Sequence, residues 1–123
     1  FCGPGGSACN WRPKMNAVES VEMETRVRGG PVLAHTAFMK DVDGGIAELK
    51  RSGQVGMEVY YAKYEDDTGR HLTRPAREYD LIPCGGSDYH GLGNAGEPLP
   101  GTLGPPEETI GLLEDAAAKA RTE

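Results

Sequence analysis

Three short apolar runs, each set off by a glycine or proline break, constrain the fold of this chain more than any other feature. They are Pro31-Val32-Leu33-Ala34-His35, Met57-Glu58-Val59-Tyr60-Tyr61 and Leu81-Ile82-Pro83-Cys84. The second is rich in β-formers, and the first fits a buried strand with His35 at its C-terminal end. Helical segments separate them. Residues 42–52 turn Ile46 and Leu49 inward, and Gly53 follows their end. Residues 66–79 read as a helix that Pro75 is expected to kink or interrupt. Ahead of the first run, Asn16 and Glu19 form a partial capping box for a helix over residues 16–28, which Gly29-Gly30 should end. After the third run, a Gly/Pro loop over residues 91–105 leads to a helix over residues 106–121. Pro105 and Pro106 stand at its start and Glu107 and Glu108 in its first turn, where they favour the helix dipole. Its apolar candidates are Ile110, Leu112, Leu113, Ala116, Ala117 and Ala120.

Helix and strand thus alternate through the chain, which implies βαβ units and a parallel sheet. Right-handed crossovers place all strand C-termini on one edge. His35, the Tyr60-Tyr61 end and the residues after Cys84 would then share that edge, where the active sites of α/β sheets and barrels gather.

The segment after the third run is Gly85-Gly86-Ser87-Asp88-Tyr89-His90-Gly91. In extended backbone Asp88 and His90 would face the same way. A carboxylate and an imidazole converging on one spot suit Zn²⁺, Mn²⁺ or Fe²⁺. Gly85 and Gly86 let the backbone turn sharply or approach a ligand closely. Taken alone, a D-x-H pair is more often a solvated turn; the shared edge with His35 favours a site. Cys84 reads as a small apolar residue at a strand end, with a nucleophilic role as its weaker alternative. Glu58, inside a strand, must be paired or metal-bound if it faces inward; facing solvent is its simpler reading. Asp66 and Asp67 read as caps of the following helix. His71 reads as a surface or half-buried side chain, and Trp11 as an anchor of the leader.

The 123 residues suit one domain with a modest core. Only 37% are hydrophobic, with 18 Gly and 9 Pro, so the chain is loop-rich or a piece of something larger. Residues 1–15 read as an irregular leader. The net charge of −6 argues against nonspecific binding to nucleic acid or anionic membranes. No apolar run is long enough to cross a bilayer and no secretory signal is legible, so a cytoplasmic location is expected. Cys2, Cys9 and Cys84 show no disulfide framework spacing.

Three segments resemble the polymerase and histidinol phosphatase (PHP) family of metal-dependent phosphoesterases. Gly30-Pro31-Val32-Leu33-Ala34-His35 is similar to the family's PVLAHP strand, which ends in a metal-binding His. Gly56-Met57-Glu58-Val59-Tyr60-Tyr61 is similar to GIEVYY. Gly85-Gly86-Ser87-Asp88-Tyr89-His90-Gly91 is similar to the closing GGSDFHG motif, which supplies an Asp and a His to the metals. Order and spacing agree from about Gly29 to about Pro106. The departures are as informative. Family members fold as a distorted barrel of seven βα units and are roughly twice this length. Their N-terminal H-x-H pair is missing, since the chain has only His35, His71 and His90. Thr36 stands where the family usually has Pro, and Ala62-Lys63-Tyr64 where many relatives carry a His.

The resemblance implies an α/β fold: a partial barrel of three to four βα units with parallel strands over residues 16–123, equivalent to the C-terminal half of such an enzyme. It implies a metal-dependent phosphoesterase using a metal-activated water. His35, Asp88 and His90 are the expected metal ligands and catalytic residues, holding at least one Zn, Mn or Fe. Arg28, Lys40 and Lys63 are candidates to hold a small phosphorylated substrate. Two other readings stand beside this one: a non-catalytic half-domain, and a metallohydrolase of other esters or amides. Half a barrel leaves open sheet edges, so a homo-oligomer is expected.

Overall fold

Strand and helix alternate along the chain as their hydrophobic spacing dictates. The computed structural model describes residues 15–62, 64, 66–91, 93 and 96–122. In chain order these form α1 (Ala17–Arg26), β1 (Val32–Leu33), a 3₁₀ turn (Thr36–Phe38), α2 (Val42–Arg51), β2 (Gly56–Tyr61), α3 (Asp66–Glu78), β3 (Ile82–Gly86) and α4 (Glu108–Thr122). The fold class is α/β. Its open sheet has the order β1-β2-β3, with both pairings parallel. Most of the leader, including Cys2, Cys9 and Trp11, lies outside the described residues. No helix among the described residues is long and apolar enough to cross a membrane.

The core sits between the sheet and the α2/α3 layer. Along β2 the buried side chains alternate as Met57, Val59 and Tyr61, with Glu58 and Tyr60 between them. Met57 and Val59 join Ile46 of α2, Leu72 and Ala76 of α3, and Leu81 in one buried cluster. Burial of each of its large side chains contributes about 1.5–3 kcal/mol. Helix α4 adds little to this core. It meets β3 through Thr109, its one buried residue among those described, whose Oγ1 donates to the Pro83 carbonyl at 3.2 Å. Ile110 and Leu112, read from the sequence as core candidates, are 61% and 46% exposed.

Helix ends follow a common design with unexpected residues. The Asn16–Glu19 capping box is complete at α1. Each of α1, α2 and α3 then closes with the paired backbone bonds of a Schellman turn: Gly29 N–H to Glu24 O, Gln54 N–H to Leu49 O, and Leu81 N–H to Ala76 O. The left-handed position is Gly53 at α2, but Arg28 at α1 and Asp80 at α3. The glycines at 29–30 therefore follow the turn rather than make it. Pro75 does not break α3, which runs unbroken from Asp66 to Glu78. Proline's fixed φ is already helical, so it forfeits one backbone bond. Its ring is buried, as are neighbouring Leu72 and Ala76.

Strand β3 continues through both glycines, two residues past the Leu81–Cys84 run read from the sequence. The reason lies in its pairing with β2. Glu58 pairs with Cys84, but the next pair is Tyr60 with Gly85, so Val59 is an extra residue in β2. The bulge presses the Tyr60 backbone against Gly85. A Cβ there would fall on the Tyr60 carbonyl, and only glycine fits.

Candidate active site

Because β2 is the central strand, its last residue lies between the ends of β1 and β3. Tyr61 is 6% exposed, and its hydroxyl donates to Asp88 Oδ2 at 2.9 Å. Its ring meets the His35 ring edge-on, with centroids 5.5 Å apart at 69°. His35 and Asp88 are thus brought together through one tyrosine, although they stand 53 positions apart in the chain.

Both flanking residues adopt left-handed backbone. His35 has φ 54° and ψ 38°, and Asp88 has φ 54°. Neither sits at the C-terminal end of a helix, which is what accounts for Arg28 and Asp80. Such conformations cost about 1–3 kcal/mol and persist where the surroundings enforce them, often at functional sites. At His35 the enforcement is visible. Its backbone N–H donates to Glu58 Oε2 at 2.7 Å. The same oxygen accepts the Tyr64 hydroxyl at 3.2 Å, and Tyr64 in turn accepts from the Ala37 N–H at 3.1 Å. Glu58 therefore does not face solvent; its side chain is only 12% exposed, and its Oε2 takes both bonds. The His35 Nδ1 lies 3.7 Å from Glu58 Oε2. Burial pushes the Tyr64 phenol up, the Glu58 charge and hydrogen bond push it further, and the Ala37 N–H partly opposes them.

Asp88 and His90 do meet, by a route other than strand alternation. The left-handed turn at Asp88 folds His90 back, and its Nδ1–H donates to the Asp88 carbonyl at 2.6 Å. In the neutral ring this leaves the lone pair on Nε2. The His90 side chain is 57% exposed, and Nδ1 is also 4.0 Å from Asp88 Oδ1 and from Glu97 Oε1. Glu97 reaches in from the Gly/Pro loop and accepts the His90 backbone N–H at 2.7 Å. Its other oxygen, Oε2, is buried and has no partner among the described residues.

Of the expected phosphate-holding residues, Lys40 and Arg28 stand at opposite ends of the sheet. Lys40 is exposed on the loop after β1, at the strand edge that carries His35. Arg28 closes α1 ahead of β1, at the opposite end of the sheet. Lys63 lies outside the described residues. Cys84 is buried, burial pushes its thiol pKa up, and its Sγ–H faces the Ile82 carbonyl at 3.5 Å. That environment makes it a packing residue, not a nucleophile. Thr36, directly after His35, is fully buried.

The sequence sets the Tyr60-Tyr61 end on the shared strand edge, but gives Tyr64 and Glu97 no role at the site. Tyr61 was open to detection as the end residue of the middle strand. Glu97 carries no local signal, standing seven residues beyond His90 across a loop. The donor types on this edge, imidazole and carboxylate, suit a divalent metal. Their number in one place does not: no three His, Cys, Asp or Glu side chains among the described residues form a group that could hold a metal ion.

No family model matches the chain, and no curated protein does. A solved structure does. It is the 2.40 Å crystal structure of "a putative metal-dependent phosphoesterase" from Bifidobacterium adolescentis, similar over 93% of this chain with a TM-score of 0.74 and 20% identity. This chain spans 41% of that protein's length. The likeness establishes the fold: three parallel strands alternating with helices in an open sheet, matching part of that structure.

Proposed function

We propose that this chain is part of a metal-dependent phosphoester hydrolase of the PHP kind, and that it contributes His35, Asp88 and His90 to a divalent metal centre at the C-terminal edge of its sheet. One observation carries the reading. Two candidate ligands from different strand ends both hold left-handed backbone away from any helix C-terminus, and both contact the same buried tyrosine. The three motif resemblances and the shared fold support it.

Each residue has a definable part. Asp88 offers a carboxylate whose Oδ2 is already oriented by Tyr61. His90 presents Nε2, with its tautomer set by the Asp88 carbonyl; a ligating His commonly donates its other nitrogen in this way. Glu58 anchors the backbone of His35. Lys40, on the same edge, is the candidate to neutralise a phosphate oxygen; Lys63 is a second. When bound, a metal lowers the pKa of a coordinated water and neutralises phosphate oxygens. Three such ligands can hold one metal with a position left open for water; only a multinuclear centre would need further donors, from another chain.

The absence of a three-donor group among the described residues favours a second reading, a non-catalytic domain that associates through its open edges. Val32 at the edge strand is 39% exposed. Metal content separates the two. About one Zn, Mn or Fe per chain by plasma mass spectrometry, lost in Asp88→Ala/His90→Ala, supports the hydrolase and justifies phosphomonoester assays. Wild-type chain that neither carries nor takes up metal overturns it.

A further inference from the structure

We infer that Tyr61 is a positioning residue that holds the Asp88 carboxylate with its hydroxyl and the His35 imidazole with its ring, fixing the two as one unit. The inference deepens the proposed metal centre and rests on it.

A buried tyrosine hydroxyl needs a partner, and here the partner is ionisable. The 2.9 Å bond to Asp88 Oδ2 is a charge-assisted one, stronger than a neutral pair. It occupies one carboxylate oxygen and leaves Oδ1 on the side of His90. The ring does separate work. It stands edge-on to His35 and, at 4.9 Å and 81°, to Tyr64. The Tyr64 hydroxyl bonds Glu58, and Glu58 holds the His35 N–H. The contacts therefore form a closed circuit that returns to His35.

The β-bulge sets this placement. Continuing the register of Glu58 with Cys84 would set Tyr61 against Ser87. The extra residue Val59 sets it against Gly86 instead. That is a step of about 3.3 Å along the strand. Bulges beside active sites commonly re-aim a side chain in this manner. Gly85 exists in this role because the bulged Tyr60 backbone leaves no room for a Cβ.

The test compares Mn²⁺ affinity by calorimetry in wild type, Tyr61→Phe and Tyr60→Phe, with thermal midpoints measured alongside. Tyr61→Phe keeps the ring and removes only the hydroxyl. The expected result is binding weakened about 10–100-fold in Tyr61→Phe, the usual loss when a ligand's hydrogen-bond partner is removed. Its midpoint should fall by no more than the loss of that one hydrogen bond accounts for, and Tyr60→Phe should bind as wild type does. Tyr61→Phe that binds equally tightly overturns the role of Tyr61 and leaves the metal centre standing. Wild type that takes up no Mn²⁺, Zn²⁺ or Fe²⁺ overturns the metal centre and this role with it. If Tyr61→Phe does not fold, proton exchange in wild type decides. A Tyr61 hydroxyl proton protected from water supports the bond to Asp88, and one that exchanges freely overturns it.

Discussion

Gly85 lies directly against the backbone of Tyr60, with no space for a side chain between them. Its neighbour Gly86 has nothing within 4 Å of where a Cβ would stand. Two adjacent glycines in one strand therefore have opposite tolerances. Gly85→Ala should destabilise the protein by about 3 kcal/mol or more, since it must expel the bulge or part the two strands. Gly86→Ala should stay within roughly 0.5–1 kcal/mol of wild type. Urea unfolding of the two variants measures the contrast, and equal midpoints would remove the bulge as the reason for Gly85.

Helix ends give a prediction of the opposite sign. Arg28 and Asp80 occupy left-handed positions that glycine takes without penalty, with φ of 63° and 49°. Arg28→Gly and Asp80→Gly should each stabilise by about 0.5–1 kcal/mol. Gly53→Ala should destabilise, because φ is 112° and the new methyl would stand 2.7 Å from Thr25 Oγ1. Thermal midpoints that fall in both glycine variants would contradict this account of the helix ends.

Tyr64 supplies a pH dependence. Burial, followed by the Glu58 charge and hydrogen bond, lifts its phenol above the ordinary 10.0 against the pull of the Ala37 N–H. In the unfolded chain the phenol titrates at its ordinary value. Between the two values the unfolded chain has lost the proton and the folded chain retains it. Stability from this group is thus full below pH 10 and declines as pH rises through the folded pKa. Urea midpoints followed above pH 10 should fall less steeply in Tyr64→Phe than in wild type. Identical slopes would mean that Tyr64 is not held protonated by the fold.

Cys84 should be chemically silent. Its thiol is buried beside Gly56, where a Cβ would stand 3.2 Å from Sγ, and burial raises its pKa. In a Cys2→Ser/Cys9→Ser background, a disulfide reagent at neutral pH should label it only as fast as the protein opens. Labelling as fast as free cysteine would place the thiol at the surface and reopen a nucleophilic role.

Most of the architecture was legible because it depends on local rules. Ile46 and Leu49 declared α2 by their spacing, Asn16 and Glu19 capped α1, and the apolar runs became β1, β2 and β3 in parallel order. Local rules fail where a long-range contact decides. Pro75 stays helical because the core buries it, and Gly85-Gly86 stay extended because both pair with β2. At the site, His35, Asp88 and His90 stood out as residue types, but their arrangement did not. The left-handed turn at Asp88, not strand alternation, folds His90 back. The tyrosines look like core residues in a linear reading, and only the order of the strands sets Tyr61 between His35 and Asp88.

Glu97 offers the last test, because it ties a glycine- and proline-rich loop to the D-x-H turn. Its Oε1 accepts the His90 N–H at 2.7 Å across seven residues. A hydrogen bond to a charged group contributes about 1.5–3 kcal/mol, roughly ten- to a hundredfold in a local opening equilibrium. Glu97→Ala should therefore speed amide exchange at His90 by about tenfold or more. Exchange at Met57 and Val59 in the core should be unchanged, since those amides open only with the larger fold. Hydrogen exchange read residue by residue by NMR distinguishes the two. An unchanged rate at His90 would mean that the left-handed turn at Asp88 holds its shape without the loop.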